Sequence, residues 1–202
     1  MEFMKLGRAG ATAAAAACLV LAACADNRPD AGDTVVTTPP ATADTVGGAV
    51  AMTTMSDANI VDLLTTANTG EVEYSKVAVT KATNPEVKQF ARDMVRDHEA
   101  MVKSINGLAS KLAVTPAPPE KSQALKDEVA KDINDLNAKT GKEFDAEYIN
   151  EQIDMHQEML DLLDDLDDDS NTPDVKTAIE NAKPNVQAHL DRAKAIKDKL
   201  DG

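Results

Sequence analysis

Phe90-Ala91-Arg92-Asp93-Met94-Val95-Arg96-Asp97-His98-Glu99-Ala100-Met101-Val102 reads as one side of an amphipathic helix. Its apolar positions, Phe90, Met94, Met101 and Ile105, recur every three or four residues, the period of an α-helical face. His98 falls on that face, four residues after Met94 and three before Met101. An imidazole on a core-facing stripe needs a partner, because a buried polar group without one is costly. The chain has three histidines in all, and His156 and His189 occupy the same kind of position.

Outward from this stretch the pattern repeats. Ser56-Asp57 is an N-cap followed by an acid, and opens a helix to about Lys81 with a stripe of Ile60, Leu63, Leu64, Ala67, Tyr74 and Val77. Glu71 lies inside that stripe, and Gly70 beside it leaves room for a neighbouring helix. Asn84-Pro85 starts the second helix, Asn as cap and Pro at the first position, which ends before Pro116. A shorter, highly charged helical segment covers about Glu120 to Ala138. A third long helix runs from about Lys142 to Asp168 on Phe144, Tyr148, Gln152, Met155, Met159 and Leu163, with His156 on the buried side. Thr172-Pro173 starts the fourth, which runs to about Leu200 with Pro184 inside it and His189 on its stripe. Four long amphipathic helices with one long connection between the second and third predict an all-α, ferritin-like four-helix bundle with a helical crossover.

The ends and composition set further expectations. Residues 1–23 have a short basic start, Lys5 and Arg8, and an Ala-rich apolar run too short to span a membrane, as in a signal peptide. Leu21-Ala22-Ala23-Cys24 resembles the bacterial lipoprotein box, which implies cleavage before Cys24 and acylation of that residue. Ala25 follows, and by the sorting rule of enteric lipoproteins this resembles outer-membrane cargo facing the periplasm. Residues 24–55 are rich in Thr, Ala, Pro, Asp and Gly without apolar period, and read as a disordered tether to a folded domain of residues 56–202. The expected partner is therefore a membrane, reached through a lipid anchor. A formal net charge of −14 and the absence of basic clusters exclude nucleic acid. Cys18 and Cys24 are the two cysteines, so the domain has no thiolate for a disulfide, a metal or nucleophilic catalysis.

Each long helix places one metal-ligand type on its stripe: Glu71, His98, His156 and His189. Neutral imidazoles with a carboxylate suit Zn²⁺, Cu²⁺ or Fe²⁺. Asp97 and Asp154, beside two of the histidines, are candidates to orient them. Met94, Met101, Met155 and Met159 sit near two histidines, and thioether favours Cu(I); plain packing is the alternative use of a methionine. The same four residues could instead form a hydrogen-bonded polar layer that fixes helix register. Ferritin-type di-iron chemistry is not expected, because Val95, Ile153 and Val186 stand where Glu-x-x-His motifs need glutamate. A calcium loop starting at Asp165 fails as well, with Ser170 in place of Gly and Lys176 in place of the final Glu. No nucleophile elbow, P-loop or zinc-protease motif is present, and Tyr74 and Tyr148 read as core-edge aromatics. A non-enzyme is expected, with an oxidase or ferroxidase the weaker alternative.

Taken together, Gly70-Glu71-Val72-Glu73-Tyr74, the segment Val87 to His98, Phe144-Asp145-Ala146-Glu147-Tyr148 leading to His156, and Pro184 followed by His189-Leu190 resemble the bacterial domain-of-unknown-function family 4142. The resemblance spans about Ser56 to Leu200. It implies a ferritin-like fold, export or lipid anchoring, and a recurrent Glu and three His at Glu71, His98, His156 and His189. Met155 departs from the family, where Asp often precedes the histidine of the third long helix.

Overall fold

The computed structural model describes residues 55–202, so the expected signal segment, the Cys24 anchor and nearly all of the tether lie outside the described residues. Five helices follow: α1 (Asp57–Lys81), α2 (Pro85–Leu112), α3 (Glu120–Asn137), α4 (Gly141–Asp169) and α5 (Pro173–Asp201). The all-α bundle of four long helices with a helical crossover is the expected architecture. None of these helices is long and apolar enough to cross a membrane.

Local chemistry sets the helix ends. The Ser56 hydroxyl accepts from the amide of Asn59, and the Asn84 side chain accepts from the amides of Glu86 and Val87. These three bonds, one at Ser56 and two at Asn84, satisfy donors that a helix start leaves without an intrahelical partner. Asp145 adds to the second cap from α4: its buried carboxylate accepts from the backbone amides of Thr83 (2.9 Å) and Asn84 (2.8 Å) and from the Thr83 hydroxyl. Thr172 occupies the cap position of α5 without capping it. Its hydroxyl instead donates to Asp57 at 2.6 Å and ties the start of α5 to the start of α1.

These end contacts give the topology. At one end, Thr172 meets Asp57, the Asn59 amide side chain donates to the Ala117 carbonyl (2.9 Å), and Lys111 bonds Asp174 (2.7 Å). At the other, Lys81 bonds the Asn137 carbonyl (2.8 Å), Asp145 meets Thr83, and Lys199 bonds Glu86. So α1 and α5 run one way and α2 and α4 the other, with α3 carrying the chain back along α1. Hairpin α1–α2 meets hairpin α4–α5 along α2–α5 and α1–α4.

The core is dense between Tyr74, Phe90, Phe144 and Tyr148, all essentially fully buried. Tyr74 and Tyr148 stack with ring centroids 5.6 Å apart, and the Tyr148 hydroxyl pairs with that of Ser75 at 2.9 Å. Both tyrosines are therefore core residues, deeper than the edge position their spacing suggested. Gly70 serves the close approach expected of it. A Cβ there would come within 2.8 Å of Val129 Cγ2 on α3, so the crossover helix lies against the backbone of α1 at this point.

The acidic end of α4 opposes the helix dipole, and cations from α5 answer it. Lys176 donates to the Asp167 carbonyl at 2.6 Å, and Lys183 pairs with Asp164 at 2.7 Å.

Candidate metal centre

His98 on α2, His156 on α4 and His189 on α5 meet inside the bundle. Their ring centroids lie 5.4–5.7 Å apart, and one nitrogen of each ring lies within 4.8 Å of those of the other two. All three are buried, His98 and His156 at 1% exposure and His189 at 9%.

Each ring is oriented from behind. His98 Nδ1 lies 2.8 Å from Asn68 Oδ1. The amide nitrogen of Asn68 is already committed to the Leu64 carbonyl at 2.7 Å, which leaves its oxygen facing the ring and requires His98 to donate. His156 Nδ1 donates to the Gln152 carbonyl at 2.8 Å, and His189 Nε2 donates to the Asp97 carboxylate at 3.2 Å. With those nitrogens carrying the proton, lone pairs remain on His98 Nε2, His156 Nε2 and His189 Nδ1. These three are buried and have no hydrogen-bond partner. They are the nitrogens left to hold an ion where the three rings meet.

Electrostatics keep the set neutral. Burial holds His98 well below its ordinary pKa, and the neighbouring His156 and His189 push the same way. His156 is lowered to about 3 by burial and then by His189, against the opposing Gln152 carbonyl. Burial also lowers His189, although Asp97 works against it. Three neutral nitrogens with fixed tautomers, each backed by an acceptor, form the donor arrangement used by metal-ligating histidines. Three buried lone pairs that no donor satisfies, on rings that meet inside the bundle, form a set that a cation would satisfy. The all-nitrogen set suits Zn²⁺, Cu²⁺ or Fe²⁺ and not Ca²⁺ or Mg²⁺, which take oxygen.

Of the residues expected from the sequence, the structure brings the three histidines together and places Glu71 apart from their meeting point. Glu71 lies behind His156, with Oε1 3.8 Å from Nδ1, the nitrogen that already donates to Gln152. Its Oε2 accepts from Gln152 Nε2 at 2.8 Å. Burial raises its pKa to about 7, against the lowering effect of that bond. Asp97 has the orienting position expected of it, toward His189 on the facing helix. Asp154 does not: it is exposed, and the Gln152 carbonyl holds His156 in its place. Residues two apart on a helix face different ways, whereas the carbonyl four residues back lies beside the ring.

Sequence reasoning missed Asn68. Its signal was present, a polar residue three before Glu71 on the buried stripe of α1. It also left the four methionines undivided. Met94 and Met155 are packed in the core, and Met155 Sδ takes a 3.8 Å contact from Gln152 Nε2. Met159 is buried in that core too, but with Met101, His98 and His189 it also lines a cleft of about 680 Å³ between α2 and α5. Past His98 the stripe of α2 is only partly covered, because Met101, Ile105 and Leu108 face this cleft.

The fold is shared with solved helical proteins at low identity. A DUF305 protein from Streptomyces coelicolor aligns over 72% of this chain and 94% of its own at 11% identity, with a TM-score of 0.62. A DUF305 fragment from Deinococcus radiodurans aligns over 71% and 95% at 9% identity, with a TM-score of 0.61. CopM in its Cu(I)-bound form aligns over 73% and 99% at 19% identity, with a TM-score of 0.59. No curated protein matches the sequence. The sequence model of a domain of unknown function, DUF4142, matches residues 42–196, and the chain belongs to that family.

Proposed function

We propose that this protein is a lipid-anchored, outer-membrane bundle facing the periplasm that binds one transition-metal ion through His98, His156 and His189, as a sensor or scavenger rather than as an enzyme. The observation that carries the metal reading is the set of three buried, partnerless nitrogens whose opposite nitrogens are each held by an acceptor. CopM, similar in fold, has been seen in Cu(I)-, Cu(II)- and Ag-bound forms, which supports the same reading. In this reading Glu71 is a buried carboxyl group behind His156, held by Gln152, and is not itself a ligand. Lys5, Arg8, the apolar run and the Leu21-Ala22-Ala23-Cys24 box support export and anchoring.

Elemental analysis of protein purified without a histidine tag, followed by Zn²⁺ and Cu²⁺ titration, tests the metal. One equivalent per chain is expected, with a large loss of affinity in His98→Ala. Binding no tighter than about 10 µM, or an unchanged affinity in His98→Ala, rejects it. Fractionation of cells carrying Cys24→Ser tests the anchor, and retention of that variant in the membrane fraction rejects it.

The buried pairs Asn68–His98, Gln152–Glu71 and Ser75–Tyr148 favour a second reading, in which the polar groups fix helix register in a structural or interaction module. It predicts that His→Ala variants lose thermal stability and that no metal changes the stability of the parent protein.

A further inference from the structure

Two of the three histidines share a local pattern. His98 is followed three residues later by Met101 on α2, and His156 by Met159 on α4. Residues three apart lie on one helix face, displaced by about 4.5 Å along the axis. Since α2 and α4 run the same way, both methionines are displaced from their histidines toward the same end of the bundle. There they line the cleft that His98 and His189 also line. Met159 is buried and Met101 partly exposed, so the pair reaches from the interior toward the mouth.

Beside the histidines the cleft offers two thioethers, and its other uncharged polar lining is amide and hydroxyl, from Asn68, Ser104, Thr177, Asn181 and Asn185. Leu64, Ile105 and Leu163 contribute apolar lining to the same cleft. Of the acids at the cleft, Asp97 is engaged by Arg96 and His189, and Asp174 by Lys111. A site built from neutral nitrogen and thioether brings no ligand charge of its own to offset the ion's. The Born cost of burying charge grows with its square, so a divalent ion costs about four times as much as a monovalent one of equal size. Thioether donors select Cu(I) among first-row ions.

We propose that Met101 and Met159 extend the histidine centre into a mixed nitrogen–sulfur site for a soft monovalent ion of the Cu(I) class, which reaches the histidines along the α2–α5 cleft. The proposal rests on the metal reading above and adds the sulfur donors and the class of ion. The surplus of negative charge on the chain, −14 in all, draws cations of any kind toward the surface. Selection between them then falls to the donors inside.

The test compares the wild-type chain with Met101→Leu/Met159→Leu, a change that keeps side-chain volume. Cu(I) affinity is read by competition with a chromophoric Cu(I) chelator, and Zn²⁺ affinity by calorimetry. The double variant is expected to lose at least about tenfold in Cu(I) affinity, near 1.4 kcal/mol, while its Zn²⁺ affinity changes less than about twofold. X-ray absorption of Cu(I)-loaded wild type is expected to show sulfur scatterers beside nitrogen, a readout that does not depend on the folding of any variant. Nitrogen scatterers alone, or a Cu(I) affinity indifferent to both methionines while Zn²⁺ still binds, overturns this proposal and leaves the histidine centre standing. If wild type binds neither ion, the metal reading fails and this proposal falls with it.

Discussion

The Asp97 carboxylate on α2 lies 3.2 Å from His189 Nε2 on α5, and so reaches across the cleft to fix a histidine on the facing helix. Burial alone would raise the pKa of Asp97, but bonds from Arg96 and His189 outweigh it and hold the carboxylate below its ordinary value. Asp97→Ala frees the His189 ring and removes the acceptor that selects its tautomer. Metal affinity is expected to fall by about 10- to 100-fold, with an unchanged far-ultraviolet spectrum. Zn²⁺ calorimetry on the variant checks this.

Glu71 gives a prediction about pH. Its folded pKa of about 7 exceeds its ordinary 4.5. Between those values the folded chain holds a proton that the unfolded chain has released, so stability falls as pH rises through this window. Glu71→Gln keeps an acceptor for Gln152 and removes the titration. The variant is expected to match wild type near pH 4 and to exceed it above pH 7 by on the order of a few kcal/mol. Urea unfolding of metal-free protein at pH 4, 6 and 8 measures the difference, and parallel curves for the two proteins would count against it.

Asp145 is expected to be among the costlier single losses. Asp145→Ala strips the buried acceptor from two backbone amides and a hydroxyl where α1 turns into α2. Hydrogen bonds to a charged group contribute about 1.5–3 kcal/mol each and do not add fully. A loss on the order of 3 kcal/mol in chemical denaturation is expected.

Gly70→Ala sets two effects against each other. Alanine gains about 1 kcal/mol of helix propensity over glycine. Its methyl group meets Val129 at 2.8 Å, and overpacking a buried contact costs about 1–3 kcal/mol. A net loss of about 1 kcal/mol is expected, and Gly70→Ala combined with Val129→Ala should relieve the overlap. A double-mutant cycle by thermal or urea unfolding shows whether the two changes couple.

The bundle was legible in the sequence because each long helix writes its buried face at a single period and its start in cap residues such as Ser56 and Asn84. The convergence of His98, His156 and His189 was legible as one titratable residue per stripe. What escaped were relations between helices. Stripe position says that Glu71 faces inward, not how far along the bundle it sits, and the structure puts it behind His156. Asp154 is adjacent to the site in sequence, but helical rotation turns it to solvent. Thr172 stands in sequence at the start of α5, yet its hydroxyl serves Asp57, a residue brought near only by the fold. Likewise Met101 and Met94 share one stripe, and only the cleft between α2 and α5 separates a core residue from one that lines open space.

The three histidines also belong to opposite halves of the fold, His98 to the hairpin α1–α2 and His156 and His189 to the hairpin α4–α5. An ion shared among them fastens the two halves at a single point, much as a covalent cross-link closes a long loop. Loading would therefore slow the separation of the hairpins, and release of the ion would be paced by the parting of α2 from α5 as well as by the strength of the bonds to it. A holder built this way would retain its cargo kinetically, and would give it up fastest to a partner that pries those two helices apart.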